Sequence, residues 1–218
     1  MVLSLPDSGR ELQLVQPVDF DALLDVAAGD PEQNLPYWAE IWPSGIALAD
    51  ELLARPELVS GRRVLEIGSG IGVTASVALA IGAELMVADY SPESLLLCRY
   101  NALVNSGCEP EVLQINWRDP SRELRDRAGS GFPVVLAADV LYESRDIEPL
   151  LDLVEWLVAP HGLLWLAEPG RNVAARFIEQ ATDRGWSDTL SFHAGPWPDP
   201  RDANVAVTAH QLRRSSSS

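Results

Sequence analysis

The 218-residue sequence is poor in the residues from which disulfide scaffolds, metal centres and nucleic-acid surfaces are built. It has two cysteines, Cys98 and Cys108, with no C-x-x-C pair, and three histidines that do not cluster. That inventory offers neither a disulfide framework nor a metal site, so no metal is expected. Cys98, set among Leu95, Leu96 and Leu97, reads as a reduced thiol inside a helix. Basic residues number 16 against 32 acidic ones, for a net charge of −16. Phosphate contacts need Lys and Arg, so no nucleic-acid partner is expected. No stretch approaches the ~18 apolar residues of a membrane span, and the N-terminus has no basic segment followed by an apolar run. No membrane association is expected, and a cytoplasmic location is the simplest expectation.

What is present is a globular composition, 47% hydrophobic, at a length that suits one domain with a sizeable core. The acidic balance suits a cationic substrate, such as a lysine-bearing protein, as well as plain solubility. No internal repeat or linker breaks the chain.

The organising stretch is Arg62-Arg63-Val64-Leu65-Glu66-Ile67-Gly68-Ser69-Gly70-Ile71-Gly72. A β-prone apolar run stops at three glycines spaced two apart, and the apolar segment Val73 to Ile81 is long enough for about two helical turns. Strand, glycine turn and helix form a unit whose exposed amides and missing Cβ atoms suit a nucleotide-like ligand. A dinucleotide fingerprint would need glycine at position 73, where the chain has Val73, so NAD is disfavoured. Glu66, two residues before Gly68, is a carboxylate within the strand, costly to bury unless a cationic ligand group meets it.

The rest of the chain reads as alternating strands and helices. Residues 1 to 18 suggest an irregular arm. Asp19 can cap a short helix through Ala28, ended by Gly29-Asp30-Pro31. Trp38 and Trp42, four apart, precede Pro43, which opens a helix through about Leu53, and the two indoles suit either core packing or a lid over a ligand. Ala83 to Asp89 is the second strand. It ends in an acid about 20 residues after Gly68, the offset at which a carboxylate meets ribose hydroxyls, and Tyr90 follows it. Ser91 caps a helix to about Asn105. The third strand, Glu111 to Ile115, leads into Asn116 and Trp117, positioned beyond the strand end where an adenine would lie. The fourth, Pro133 to Ala138, runs into Asp139-Val140-Leu141-Tyr142, a carboxylate and a phenol three apart. Ile147 to Val158 carries a helical stripe, Pro160-His161-Gly162 reads as a turn with His161 a loop residue, and Leu163 to Ala167 is the fifth strand. Asn172 can cap a helix through Arg184. Two strand-like runs, Thr189 to Ala194 and Val205 to Leu212, flank a proline-rich loop, and 213 to 218 suggests a disordered tail. The expected organisation is an arm with a short helix (1–35), one domain (36–212) and a tail.

Glu66-x-Gly68-x-Gly70-x-Gly72 resembles motif I of class I S-adenosylmethionine-dependent methyltransferases, in which the acidic residue sits near the methionine amino group of the cofactor. The alternation of elements resembles that family's Rossmann-like, doubly wound α/β fold, a seven-stranded, mostly parallel sheet with an antiparallel last strand. Pro36-Tyr37-Trp38, Ile41-Trp42-Pro43, Asn116-Trp117-Arg118 and Ala138-Asp139-Val140-Leu141-Tyr142 resemble the family-16 group of protein lysine methyltransferases. Glu168-Pro169-Gly170-Arg171 is similar to the D-P-G-R stretch of the branch acting on the electron transfer flavoprotein β subunit, also labelled nicotinamide-methyltransferase-like, with glutamate in place of aspartate. The resemblance implies that Trp42, Glu66, Gly68, Ser69, Gly70, Asp89, Trp117 and Ala138 touch S-adenosylmethionine, with Tyr90 and Asn116 beside them. It implies that Asp139 and Tyr142 shape the acceptor pocket and carry the catalytic work. The partner implied is a protein with an exposed lysine. Fold and cofactor site do not choose the acceptor, so a small-molecule N- or O-methyltransferase and a non-catalytic adenosylmethionine-binding interaction protein are the alternatives.

Overall fold

A computed structural model describes residues 1–29 and 34–214. The chain opens with a hairpin, not the irregular arm that its composition suggested. β1 (Val2–Ser4) and β2 (Glu11–Gln13) pair antiparallel, with Leu3 opposite Leu12. A period of two is the reason: Leu3, Leu5, Leu12 and Leu14 share one face, and all are buried in the main core. Asparagines from a later helix complete the open edge. Asn105 Oδ1 accepts from the Gln13 N–H at 2.8 Å and its Nδ2 donates to the Gln13 carbonyl at 2.9 Å. Asn101 makes the same pair with Val15, at 2.8 and 2.9 Å.

α1 (Phe20–Ala27) starts where expected, with Asp19 Oδ1 accepting the Ala22 N–H at 2.9 Å. Asp30 and Pro31, expected to end it, lie outside the described residues. α2 (Pro43–Ala54) opens on its proline. The βα units that follow are β3 (Arg63–Ile67) with α3 (Val73–Ala80), β4 (Glu84–Asp89) with α4 (Pro92–Ser106), and β5 (Glu111–Gln114) with α5 (Arg122–Ala128). Then come β6 (Phe132–Ala138), α6 (Ile147–Leu157), β7 (Val158–Glu168), α7 (Asn172–Asp183), β8 (Trp186–His193) and β9 (Val207–Arg214).

The sheet has the order β5-β4-β3-β6-β7-β9-β8, with β9 antiparallel to both of its neighbours and the other pairs parallel. This is the seven-stranded Rossmann-like arrangement the sequence implied. Its strands alternate between two buried layers. Val64, Val87, Val134, Leu136 and Trp165 face the layer of α2, α3, α4 and the hairpin; Leu65, Met86, Val135 and Leu164 face the layer of α6 and α7. Glu66 has the parity of Val64, so it points into the first layer.

Local departures have local causes. Pro160-His161-Gly162 lies within β7 as an irregularity, between the Phe132–Val158 and Val134–Leu163 pairs, and is not a turn ahead of the strand. His161, at φ 63°, is exposed. Arg171 takes the cap position of α7 and Asn172 is its first residue, so Asn172 is not the cap. Arg213 and Arg214, expected in a tail, end β9, where Arg213 pairs with Leu163 and Ser187; residues 215–218 lie outside the described ones.

Candidate active site

Because β3, β4, β5 and β6 run parallel, their carboxyl ends open on one edge of the sheet. β3 and β6 are neighbours, and the chain leaves them toward opposite sides of the sheet, so a crevice opens between Gly68 and Asp139. Tertiary pairing thereby brings together four stretches that are far apart in sequence.

The glycine turn is left-handed at Gly68, Gly70 and Gly72, with φ 69°, 52° and 88°. A Cβ on Gly68 would stand 2.8 Å from Val140 Cγ1 and 3.7 Å from Trp117 Cζ3, so the site's own walls close on this residue. One on Gly72 would stand 2.8 Å from the Cys98 Cα, which ties that glycine to the packing of α4 as well.

Two buried carboxylates flank the turn. Glu66 is buried, and its Oε2 has no hydrogen-bond partner among the described residues. Burial pushes its carboxyl well above the usual range, the Asp89 charge adds to this, and a hydrogen bond with Thr74 only partly opposes it. Asp89 is likewise raised by burial, although it accepts from the backbone N–H of Ser91 at 3.0 Å and of Gly70 at 3.3 Å.

A cleft with about 730 Å³ of open space lies over this edge. Of the predicted residues, Trp42, Gly68, Gly70, Asp89 and Tyr90 line it, as do Asn116, Trp117, Ala138, Asp139 and Tyr142. The other two, Glu66 and Ser69, line an adjoining pocket that shares Trp42, Gly68, Gly70 and Ala138. Both tryptophans of the 36–45 segment serve the cleft, and Trp38 also packs on the core. Sequence reasoning passed over Tyr37, whose ring centroid lies 5.3 Å from that of Tyr142 and 6.1 Å from that of Trp42, edge to face in both cases. Its place beside Trp38 was the available signal. Burial raises the Tyr142 phenol, as do the charges of Asp146 and Glu143, so it stays neutral at physiological pH.

Asp139 begins the loop after β6 in left-handed backbone, φ 53°, with its N–H donating to the Ala167 carbonyl at 2.9 Å. Its carboxylate receives Arg171, Nε to Oδ1 at 3.0 Å and NH2 to Oδ2 at 3.3 Å. Burial raises the Asp139 carboxyl and Arg171 partly offsets that. Arg171, missed as a site residue, is positioned by Glu168, whose Oε2 accepts the N–H groups of Gly170 at 2.6 Å and Arg171 at 3.0 Å. Behind Glu168 stands His210, with Nε2 3.7 Å from Glu168 Oε1 and Nδ1 2.7 Å from Asp188 Oδ2.

Burial alone would lower the His210 pKa, but its hydrogen bond with Asp188 and the nearby carboxylates of Asp188 and Glu168 hold it up to about 9. A raised folded-state pKa means stability that is fully present below the unfolded value, ~6.5, and lost as pH rises through about 9. Chemical denaturation from pH 6 to 10 should therefore show His210→Gln less stable than wild type by roughly 2–3 kcal/mol at low pH. The gap should narrow as pH rises above about 6.5 and be nearly closed once pH reaches about 9. A gap independent of pH would rule out a charged His210.

The donor set fits S-adenosylmethionine and not a pyrophosphate. Two buried carboxyls at the glycine turn suit a ligand carrying an ammonium and a sulfonium, whose charges favour their ionised forms, and offer no counter-charge to a dianion. A family model described as lysine methyltransferase matches residues 32–184, more than half of the chain. The chain belongs to this lysine methyltransferase family. S-adenosylmethionine is the cofactor that membership calls for, and the residues at the turn fit it. Among the relatives of this chain is the histone-arginine methyltransferase METTL23 of Xenopus laevis, 29% identical over 61% of this chain and 57% of the relative. The electron transfer flavoprotein beta subunit lysine methyltransferase of Danio rerio is 30% identical over 62% and 51%. The chain spans about half the length of the curated relatives it matches. In structure it is similar to the magnesium protoporphyrin IX methyltransferase of Synechocystis PCC 6803 with bound SAM, at TM-score 0.60 and 16% identity over 92% and 86% of the two chains, a likeness of fold.

Proposed function

We propose that this chain is an S-adenosylmethionine-dependent methyltransferase acting on the side-chain amine of a protein lysine. The observation that carries the cofactor half is Glu66: a buried carboxylate with an unpartnered oxygen, at a glycine turn, in a chain of this family. Its acceptor half rests on Asp139 and the aromatic wall beside it, Tyr37, Trp42 and Tyr142.

When bound, the cofactor supplies a methyl group on a positively charged sulfur, a leaving group that needs no acid. The chain's own residues then have three tasks. Glu66 and Asp89 hold the amino and ribose groups, and Trp117 packs on the base. The aromatic wall strips water from the incoming amine, which must arrive unprotonated. Asp139 orients that amine and stands where positive charge develops on nitrogen during transfer, so it stabilises the transition state more than the neutral reactant. The aromatic faces can add a cation–π contribution to the methylated ammonium product.

An arginine acceptor is the second reading, favoured by one observation: Asp139 already receives a guanidinium, that of Arg171. Incubation of the purified protein with radiolabelled S-adenosylmethionine and cell extract, followed by acid hydrolysis of the labelled proteins, tests both. Methyllysine is expected. The sequence contains no lysine, so that product must come from a substrate and not from the enzyme. Label confined to small molecules would overturn the protein-substrate reading, and methylarginine would favour the second.

A further inference from the structure

One buried acid borders the cofactor cleft without lining it. Asp146 is 0% exposed, at the end of the loop before α6. Its Oδ1 accepts from the indole Nε1–H of Trp117 at 3.0 Å and from the Nε–H of Arg118 at 2.7 Å. Its Oδ2 has no hydrogen-bond partner among the described residues, so these two donors define how the carboxylate is turned. Trp117 is thereby held at both ends. Nε1 is bonded to Asp146, while the opposite corner of the ring, Cζ3, lies over Gly68, within 3.7 Å of where a Cβ would be.

Simple burial of an indole does not require this. The N–H of a half-buried tryptophan at a cleft edge can bond to water, whereas a fully buried carboxylate costs several kcal/mol of desolvation unless it is paired. Arg118, which also lines the cleft, supplies that pairing. The expense is understandable if the orientation of the ring matters to what packs on it, since an aromatic face stacks well only within a narrow range of offset and tilt.

We propose that Asp146 is a positioning residue of the cofactor site, fixing the plane of Trp117 against which the adenine of an S-adenosylmethionine-class ligand stacks. This rests on the reading of the cleft as a cofactor site. Asp146 touches no ligand; it acts through Trp117.

The test is calorimetric titration of wild type, Asp146→Asn, Glu66→Gln and Trp117→Phe with two probes, S-adenosylhomocysteine and 5′-methylthioadenosine. Both probes carry the base, and only the first carries the amino acid. Asp146→Asn should weaken both by the same factor, about tenfold, because its effect is on the base. Glu66→Gln should weaken the first alone. A double-mutant cycle supplies a readout that mere loosening of the fold would not move: in the Trp117→Phe background, which has an aromatic face but no N–H, Asp146→Asn should cost less than about threefold. Affinities of Asp146→Asn within twofold of wild type, or an equal cost in both backgrounds, would overturn the proposal. If Asp146→Asn shows no cooperative unfolding, Trp117→Phe alone decides it, and unchanged binding of both probes overturns it. Wild-type protein that binds neither probe overturns the cofactor reading itself, and this inference with it.

Discussion

Methyl transfer by Asp139→Asn is expected to fall about 100-fold, with affinity for S-adenosylhomocysteine within about threefold of wild type. Asparagine is the informative replacement because residue 139 sits at φ 53°, a backbone region that Asn tolerates and most residues avoid. Backbone geometry and the Asp139 N–H bond to Ala167 therefore survive. What is lost is the negative charge. Nitrogen gains positive charge as the methyl moves, and a neutral amide leaves that change without a counter-ion in a cleft walled by rings. Arg171 loses its partner too, but it is 39% exposed and water can solvate it, so the fold should tolerate the change. The check is labelled methyl transfer into the protein fraction of an extract, alongside calorimetry with S-adenosylhomocysteine. Undiminished transfer would remove Asp139 from the chemistry and leave it a structural turn residue.

Glu66→Gln should weaken cofactor binding strongly and raise the stability of the unliganded protein. Affinity for S-adenosylhomocysteine should fall roughly 100-fold, the scale of removing one charge from a buried hydrogen-bonded ion pair. Without ligand, the variant should melt at a higher temperature than wild type near neutral pH. The sign follows from the pKa: burial, with Asp89 adding, raises the Glu66 carboxyl well above its ordinary value, so the folded state binds a proton that the unfolded state releases. Wild-type stability is thus reduced as pH rises above the ordinary carboxylate range, and a neutral amide removes that penalty. Melting curves with and without S-adenosylhomocysteine measure both effects: wild type starts lower and gains much, the variant starts higher and gains little. A variant that binds normally, or that melts lower when unliganded, would contradict the role given to Glu66.

The same contrast separates what the chain declares locally from what it does not. Strand ends and glycine spacing are local properties, so Gly68, Asp89, Trp117 and Asp139 could be singled out from the order of apolar runs and the residues that terminate them. Each then lines the crevice because parallel strands place their carboxyl ends on one edge. The N-terminal hairpin was also written in the chain, as alternating leucines at 3, 5, 12 and 14, but two three-residue strands are too short to stand out from an irregular arm. What completes them, the amides of Asn101 and Asn105, is a helix feature with no local mark.

Asp146 and His210 carry no such mark, and the pairing of Arg171 is not written around it. An arginine after Gly170 can pair with any acid within reach, and only the adjacency of β6 and β7 brings it to Asp139. Asp146 ends a short turn and would pass for a helix-start acid, yet the fold buries it completely behind Trp117. His210 has the alternating pattern of an ordinary strand residue, and its charge arises because β9 lies between Glu168 on β7 and Asp188 on β8.

By itself the sequence determined the layered α/β fold, the glycine turn and the stretches that meet at the sheet edge, because these depend on periodicity and on residues a few positions apart. Only the tertiary structure decided which charges pair, which carboxylate oxygens are left unpartnered among the described residues and which rings stand face to edge. Those outcomes depend on distances of a few ångströms between groups far apart in the sequence, and on how completely water is excluded around them.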